Sequence, residues 1–185
     1  MTYKQEMVKA MSLLANNNKT IFIGQSIKYP GTMIYNTLKE ARISKEKLIE
    51  FPVAEELQLS VSIGLSLQGF IPISIFPRFD FMLRCMDSLI NHLDKIESLS
   101  EGEFRPKVII RTSVGATKPL NPGLQHCQDY TEALEKMCTN IQIVQLLEPC
   151  DVFRFYKAAL NDAFIRNKST ILVEYGELYD NEPTR

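Results

Sequence analysis

Short runs of apolar, mostly β-branched residues alternate along the chain with longer stretches whose apolar residues recur at helical spacing. Continuous apolar runs of this kind are typical of strands covered on both faces, as in parallel sheets. The pattern predicts six strands, at residues 20–24, 49–52, 71–76, 107–111, 141–145 and 170–174. Strands that alternate with helices predict an α/β fold. We therefore expect a three-layer domain with a central, mostly parallel six-stranded sheet flanked by helices.

The helical stretches differ in how clearly they are marked. Apolar residues recur at helical spacing from Phe79 to Ile96 and from Val152 to Ala163, and both stretches are predicted as long amphipathic helices. Residues 1–19 and 129–137 are predicted to be helical as well. The stretch from Leu57 to Leu67 is ambiguous, because its apolar residues fall on every odd position, as in a strand. It is about twice the usual strand length and its even positions are mostly small, so we predict a helix.

Composition and charge exclude several classes of protein. The chain has 185 residues, with 21 Lys and Arg against 22 Asp and Glu, and we expect one domain over residues 1–185. A net charge of -1 draws the chain neither to nucleic acid nor to anionic membranes. No run reaches the roughly 18 apolar residues of a membrane span, and the N-terminus lacks a signal-peptide core. The expected location is cytoplasmic. The four cysteines form no C-x-x-C pair, and no zinc spacing is present.

Polar and aromatic side chains follow the predicted strands at the ends where open parallel sheets bind ligands. Gln25 follows the first strand, Glu55 the second, and Phe79 and Phe81 the third. His126 lies in a long loop after the fourth strand. Each also has an ordinary structural interpretation, as a first-turn carboxylate, a core ring or a loop histidine. No P-loop, G-x-G-x-x-G or G-x-S-x-G motif is present.

Four motifs in order carry a family resemblance. They are AEE at 54–56, PISIFPRFDF at 72–81, VIIRTSVGA at 108–116 and QHCQ at 125–128. Each is weak alone, but their order and spacing resemble the pyrimidine-binding domain of thiamine diphosphate enzymes. The likeness is strongest to the β subunit of 2-oxoacid dehydrogenase E1 components, with transketolase more distant, and it extends over almost the whole chain.

The resemblance implies roles for the candidate residues. The Glu55 carboxyl group would hydrogen-bond N1′ of the cofactor aminopyrimidine and so activate thiamine diphosphate, while Phe79 or Phe81 would pack against that ring. His126 would lie near the substrate carboxylate or the reacting carbonyl group and act as a donor or proton shuttle. Gln25, a cofactor-binding candidate, follows Gly24 where the family commonly has Gly-Glu-Glu, so an acidic active-site position is lost. This departure weakens the expectation of full dehydrogenase chemistry.

The resemblance also implies partners. The family holds the diphosphate and Mg²⁺ on a separate domain with a G-D-G motif, which this sequence lacks. We therefore expect a partner subunit that carries that domain, self-association of this chain, and a 2-oxo acid or ketose substrate. The C-terminal domain that follows in E1 β subunits is not expected here. Three alternatives stay open: a non-catalytic scaffold or regulatory subunit, the short subunit of a two-subunit 2-oxo acid decarboxylase, and an unrelated α/β binding module.

Overall fold

Six parallel strands form one sheet in the computed structural model, which describes residues 1–119 and 121–179. The strands are β1 (Thr20–Gly24), β2 (Leu48–Glu50), β3 (Ile71–Phe76), β4 (Ile109–Val114), β5 (Gln142–Gln145) and β6 (Thr170–Tyr175). Their order is β2-β1-β3-β4-β6-β5, and every neighbouring pair is parallel. The predicted α/β fold is confirmed, and the sheet is wholly rather than mostly parallel over the described ranges.

Helices cover both faces of this sheet. In the described part of the chain they are α1 (Tyr3–Ala15), α2 (Met33–Glu40), α3 (Glu55–Leu67), α4 (Phe79–Met82), α5 (Ile96–Leu99), α6 (Thr131–Met137) and α7 (Pro149–Ile165). Helices α1, α2 and α7 bury their apolar residues in one core cluster, and α3, α4 and α6 bury theirs in another. Adjacent β4 residues Ile109 and Ile110 divide between the two clusters, as expected where side chains alternate across a sheet. None of these helices is long and apolar enough to cross a membrane.

Helix α3 is turned so that polar residues face the sheet. Gln58 and Ser62 are buried, and the Gln58 side-chain amide donates to the Ser74 hydroxyl at 3.2 Å and to the Ile75 carbonyl at 3.0 Å, both on β3. Leu57 on the other side of the helix is 54% exposed. The prediction of a helix is confirmed. The strand-like alternation arises because polar side chains bond to β3 while part of the apolar set stays outside the core.

The prediction of one continuous helix from Phe79 to Ile96 is wrong, because the segment is divided into several short helices of different types. The chain forms α4, a 3₁₀ turn at Leu83–Cys85, a π-helix at Asp87–Leu93 and then α5. Buried apolar residues recur every three positions from Phe79 to Cys85 and every four positions from Cys85 to Leu93. The number of residues per turn is first smaller and then larger than in an α-helix. This change keeps the same row of apolar side chains on the core.

Helix α2 was absent from the sequence-based assignment. Its signals are local: the Thr32 hydroxyl accepts from the Tyr35 backbone amide at 3.0 Å, which caps the first turn. Ile34, Thr37 and Leu38 are its buried residues, at a spacing of three and four. The helix has only 8 residues, so its amphipathic pattern is short.

A buried ion pair joins the neighbouring strands β4 and β6. The Arg111 guanidinium on β4 bonds both oxygens of Glu174 on β6, and neither side chain is exposed. The hydroxyl groups of Tyr156 and Tyr179 also donate to Glu174. Burial, followed by the Glu174 charge, raises the pKa of both tyrosines well above the usual value. These phenols therefore stay protonated and remain hydrogen-bond donors.

Replacement of Arg111 should be severe, because it leaves the Glu174 carboxylate buried without its cation. We expect Arg111→Met to lower the free energy of unfolding by about 3–5 kcal/mol, measured by urea denaturation. The control is Arg154→Met, whose ion pair with Asp151 lies at the surface with Arg154 67% exposed, and which should cost less than about 1 kcal/mol. Equal losses in the two variants would show that the buried pair does not hold the sheet.

Candidate functional site

The candidate residues follow four strands that are neighbours in the sheet. Gln25 follows β1, Glu55 follows β2, Phe79 and Phe81 follow β3, and His126 lies in the loop after β4. The order β2-β1-β3-β4 places the carboxyl ends of these strands side by side along about 14 Å of one sheet edge. The sequence order alone does not give this adjacency, which depends on how the strands pair.

Glu55 is a nearly buried carboxylate at the start of α3. Its side chain is 2% exposed, and Oε2 accepts from Arg84 Nε at 3.1 Å. No hydrogen bond joins Oε1 to another described residue, which leaves an acceptor free for a group outside this part of the chain. The first-turn position favours a negative charge, because the helix dipole is positive there. One turn later, Gln58 bonds to β3 and fixes the helix that carries this carboxylate.

Phe79 and Phe81 occupy different environments. Phe79 has no exposed surface and packs edge-to-face against Tyr130, with ring centroids 5.6 Å apart. Phe81 is 37% exposed, and its ring meets the His126 ring edge-to-face at 5.3 Å. Phe81 is therefore the ring of the two that offers surface to a ligand, whereas Phe79 is part of the core. The contact also brings Phe81 and His126, both predicted site residues, together.

His126 is held by its backbone and has an unsatisfied ring nitrogen. Its carbonyl accepts from the Gly115 amide at 3.0 Å, and its own amide donates to Gly123 at 3.1 Å. Ring atom Nδ1 is buried and lacks a hydrogen-bond partner among the described residues. A side chain at position 115 would lie 2.1 Å from the His126 carbonyl oxygen, so this close approach requires glycine.

Gln25 belongs to a turn that Glu50 organises. The Glu50 carboxylate accepts from the backbone amides of Ser26, Ile27 and Lys28 at 2.6, 2.9 and 2.8 Å. Gln25 is half-buried directly before these amides. Among the described residues, no hydrogen bond links the Gln25 side chain to Glu55 or His126. The structure thus brings Phe81 into contact with His126, while Gln25 stands apart at the neighbouring strand end.

Comparison with known proteins gives one consistent set of relatives. No protein-family model matches the chain. The mitochondrial pyruvate dehydrogenase E1 β subunit of Ascaris suum is 24% identical over 150 residues, which are 80% of this chain and 41% of that protein. The Saccharomyces cerevisiae subunit is 23% identical over 186 residues, covering 97% and 49%. The Rhizobium meliloti subunit is also 23% identical, covering 97% and 39%. The chain is similar to pyruvate dehydrogenase E1 β subunits over most of its own length and over less than half of theirs.

A solved structure supports the fold of the homologous region. The structure described as "Split gene transketolase, inactive beta4 tetramer" matches with a TM-score of 0.68 at 18% identity. The match covers 95% of this chain and 51% of that one. The predicted resemblance to E1 β subunits and transketolase is therefore confirmed. The chain spans 41%, 49% and 39% of the lengths of the three E1 β relatives.

Arg84 is the site residue that sequence reasoning missed. It lies 29 positions after Glu55 and reaches the carboxylate because α3 packs against the turn that follows α4. The available signal was an arginine within the apolar stripe that starts at Phe79. Arg84 and Phe81 lie on one short segment, so residues 81–84 connect the Glu55 carboxylate to the His126 ring.

Two further cations line a cavity at the same sheet edge. The cavity has a volume of about 320 Å³ and lies beyond β3 and β4, next to the first turn of α2. Arg78 and Lys118 line it together with Ser113. Within the described ranges, neither cation has a carboxylate within ion-pair distance. The cavity therefore has a positive lining that favours an anion.

The acidic groups near Glu55 shape the remaining electrostatics. Burial, together with the charges of Glu56 and Glu55, raises the pKa of the Cys85 thiol to about 12, so this thiol is neutral.

Both carboxylate oxygens of Asp80 are buried and lack a hydrogen-bond partner among the described residues. Burial and the Asp80 charge raise the pKa of the Tyr130 hydroxyl. The described residues contain no group of three or more side chains suited to hold a metal ion.

The Gly115 contact allows a direct test of how His126 is positioned. We expect Gly115→Ala to displace the His126 backbone and to cost about 1–3 kcal/mol of unfolding free energy. NMR should show the loss of the Phe81 ring-current shift on the His126 ring protons. Gly64→Ala is the control, because a side chain there meets nothing within 4 Å, and an exposed helical alanine should stabilise by up to about 1 kcal/mol. An unchanged His126 ring in Gly115→Ala would contradict the assignment.

Proposed function

We propose that this chain is the pyrimidine-binding half of a split thiamine diphosphate-dependent enzyme that acts on a 2-oxo acid or a ketose. The observation that carries the proposal is the Glu55 carboxylate, 2% exposed at the start of α3, with one oxygen free of hydrogen bonds to other described residues. The free oxygen of this nearly buried carboxylate could accept a hydrogen bond from a protonated ring nitrogen of a ligand. The homology to E1 β subunits supports this use of the site.

The residues of this chain would bind and orient the cofactor rather than hold its diphosphate. Bound thiamine diphosphate supplies a carbon nucleophile and then an electron sink for cleavage next to a carbonyl group. Glu55 would share a proton with N1′ of the aminopyrimidine, and the exposed ring of Phe81 would pack against that heterocycle. His126, held against Phe81, would donate to or accept from the substrate through its ring nitrogens. Gln25 would supply a neutral polar contact from the neighbouring strand end.

The cavity beyond β3 and β4 supports an anionic substrate. Arg78 and Lys118 provide two cations without carboxylate partners in the described ranges, and Ser113 adds a hydroxyl group. A 2-oxo acid carries a carboxylate and a phosphorylated ketose carries a phosphate, so both proposed substrate classes match this charge.

A partner subunit would complete the site and hold the diphosphate and Mg²⁺. The exposed face of α3, formed by Leu57, Ser60, Val61 and Gly64, lies on the helix that begins with Glu55. Leu57 is 54% exposed, and small residues at 60 and 64 allow another backbone to approach closely. We propose this face as the contact with the partner or a second copy of the chain. The split transketolase neighbour is described as an inactive β4 tetramer, which supports self-association without activity.

A non-catalytic scaffold is the second candidate function. Gln25 in place of an acidic residue favours it, and so does the Arg84 ion pair, because that cation occupies one oxygen of Glu55. A short subunit of a two-subunit 2-oxo acid decarboxylase would use the same Glu55 role. Turnover in the reconstituted complex separates the scaffold from both enzyme proposals.

Glu55→Gln tests the catalytic proposal. In a complex reconstituted with the subunit that co-purifies with this chain, we expect turnover to fall at least about 100-fold while assembly is unchanged. The amide keeps the size of the carboxyl group but cannot accept and return the proton. Glu56→Gln is the matched control, since Glu56 is the next residue and bonds Ser88 instead. Normal turnover by Glu55→Gln would refute the role of Glu55, and an inactive wild-type complex would favour the scaffold.

The α3 face has its own test. Leu57→Asp should weaken association with the partner or with a second copy at least about tenfold, because it places a charge in an apolar contact. Light scattering coupled to size exclusion measures the effect on the purified chain and on the complex. Ile165→Asp is the control, since Ile165 is 79% exposed at the end of α7 on the other side of the sheet. Equal association of both variants would place the interface elsewhere.

A further inference from the structure

A second groove lies on the opposite side of the sheet from α3, and the proposed function does not use it. It has a volume of about 370 Å³ and is bounded by the turn after β1, helix α2, the following turn and β2. We call it the lysine groove; its lining residues are Ile27, Lys28, Tyr29, Tyr35, Leu38, Lys39, Ile43, Lys45 and Leu48. It shares no lining residue with the Arg78 cavity, and Glu55 and His126 do not line it.

Three lysines give this groove an uncompensated positive charge. Lys28, Lys39 and Lys45 line it, and within the described ranges none has a carboxylate within 4.0 Å. The nearest acids along the chain have other partners. Glu46, next to Lys45, accepts from the Ser44 hydroxyl at 3.3 Å. Glu40 pairs with Lys4 at 2.7 Å, and the Glu50 carboxylate accepts the three backbone amides of residues 26–28. In a chain with a net charge of -1, such a local surplus attracts an anion.

The rest of the lining is apolar and aromatic. Ile27 and Leu38 form a buried floor, each 1% exposed, and Tyr29 is 64% exposed at the edge. Tyr35 adds a second phenol ring from α2. Apolar floors and aromatic rings bind planar, weakly polar groups, which a simple inorganic anion does not have.

The walls of the groove are formed before any ligand arrives. The Glu50 carboxylate holds the turn that carries Lys28 by accepting from its backbone amides. Ser26 in that turn has a left-handed backbone with φ of 54°. The Thr32 hydroxyl caps the helix that carries Tyr35 and Lys39. A groove built on pinned backbone loses little conformational entropy on binding.

We propose that the lysine groove binds a small phosphorylated molecule with a planar ring, of the nucleoside di- or triphosphate class. The ring would lie on the apolar floor beside the tyrosines, and the phosphates would meet the lysine ammonium groups. The groove volume falls in the range of small-molecule sites, about 300–1,000 Å³, and is small for an acidic protein segment, which extends over a larger surface. Gln25, Glu55, Phe81 and His126 do not line the groove, so a substitution in the groove leaves these proposed site residues unchanged.

Calorimetric titration of the full chain tests the proposal with defined probes. ATP should bind saturably, and at least about tenfold more tightly than either adenosine, which lacks the phosphates, or tripolyphosphate, which lacks the ring. Lys28→Met/Lys45→Met should weaken ATP binding at least about tenfold. Lys157→Met is the control, because Lys157 is exposed on α7 outside the groove, and it should change the affinity less than twofold. Raised salt should weaken ATP binding.

A second measurement reads the same site without substitutions. ATP should protect the three groove lysines from chemical acetylation, detected by mass spectrometry, and leave Lys157 unprotected. Several results would overturn the proposal. These are equal ATP affinity in the double variant and in wild type, tripolyphosphate binding as tightly as ATP, no binding of ATP at all, or capture of an acidic peptide in preference to ATP. The last result would make the groove a protein-docking site.

Discussion

A charged pair with no exposed surface joins β4 to β6, and much of the fold is arranged around it. Arg111 and Glu174 bond each other, Tyr156 and Tyr179 donate to Glu174, and Arg111 donates to Thr37 and Tyr179 through Nη2. Nη1 of Arg111 has no hydrogen-bond partner among the described residues. Tyr156, Tyr179 and Thr37 come from α7, from the end of the described chain and from α2, respectively. The pair therefore links α2, α7 and Tyr179 to strands β4 and β6 on one face of the sheet. Strand β4 is followed by the loop that contains His126.

The candidate site depends on close contacts between β3 and β4 and the segments that follow them at the sheet edge. Gly115 follows β4 and can approach the His126 carbonyl because it has no side chain. On β3, Ser74 and the Ile75 carbonyl bind Gln58 and so fix α3 one turn from Glu55. Buried polar groups of this kind hold one arrangement, since any shift would leave donors unsatisfied. These bonds hold the start of α3, and with it Glu55, against the sheet.

The same edge presents groups without partners in the described ranges, in line with the proposed half-site. Glu55 has one oxygen bound to Arg84 and one without a partner in the described ranges, and Phe81 presents part of its ring. Helix α3 turns Gln58 and Ser62 toward the sheet and keeps Leu57 outside. An exposed apolar side chain on the helix that begins with Glu55 fits a surface that a second subunit covers. The orientation of α3 about its own axis therefore explains both why polar side chains face the sheet and why an apolar side chain is exposed.

The sequence by itself determined the parallel α/β class, four of the seven described α-helices (α1, α3, α6 and α7) and the family resemblance, because these depend on local periodicity and on ordered motifs. It identified α3 as a helix from its length and small residues, although the alternation of Leu57 to Leu67 resembles a strand. Tertiary structure decided what local patterns do not contain. It changed the number of residues per turn after Phe79, which keeps one row of apolar side chains on the core. It also buried Phe79 while exposing Phe81, and it paired Arg84 with Glu55. These outcomes depend on which distant residues meet across the sheet, and packing rather than propensity determines that.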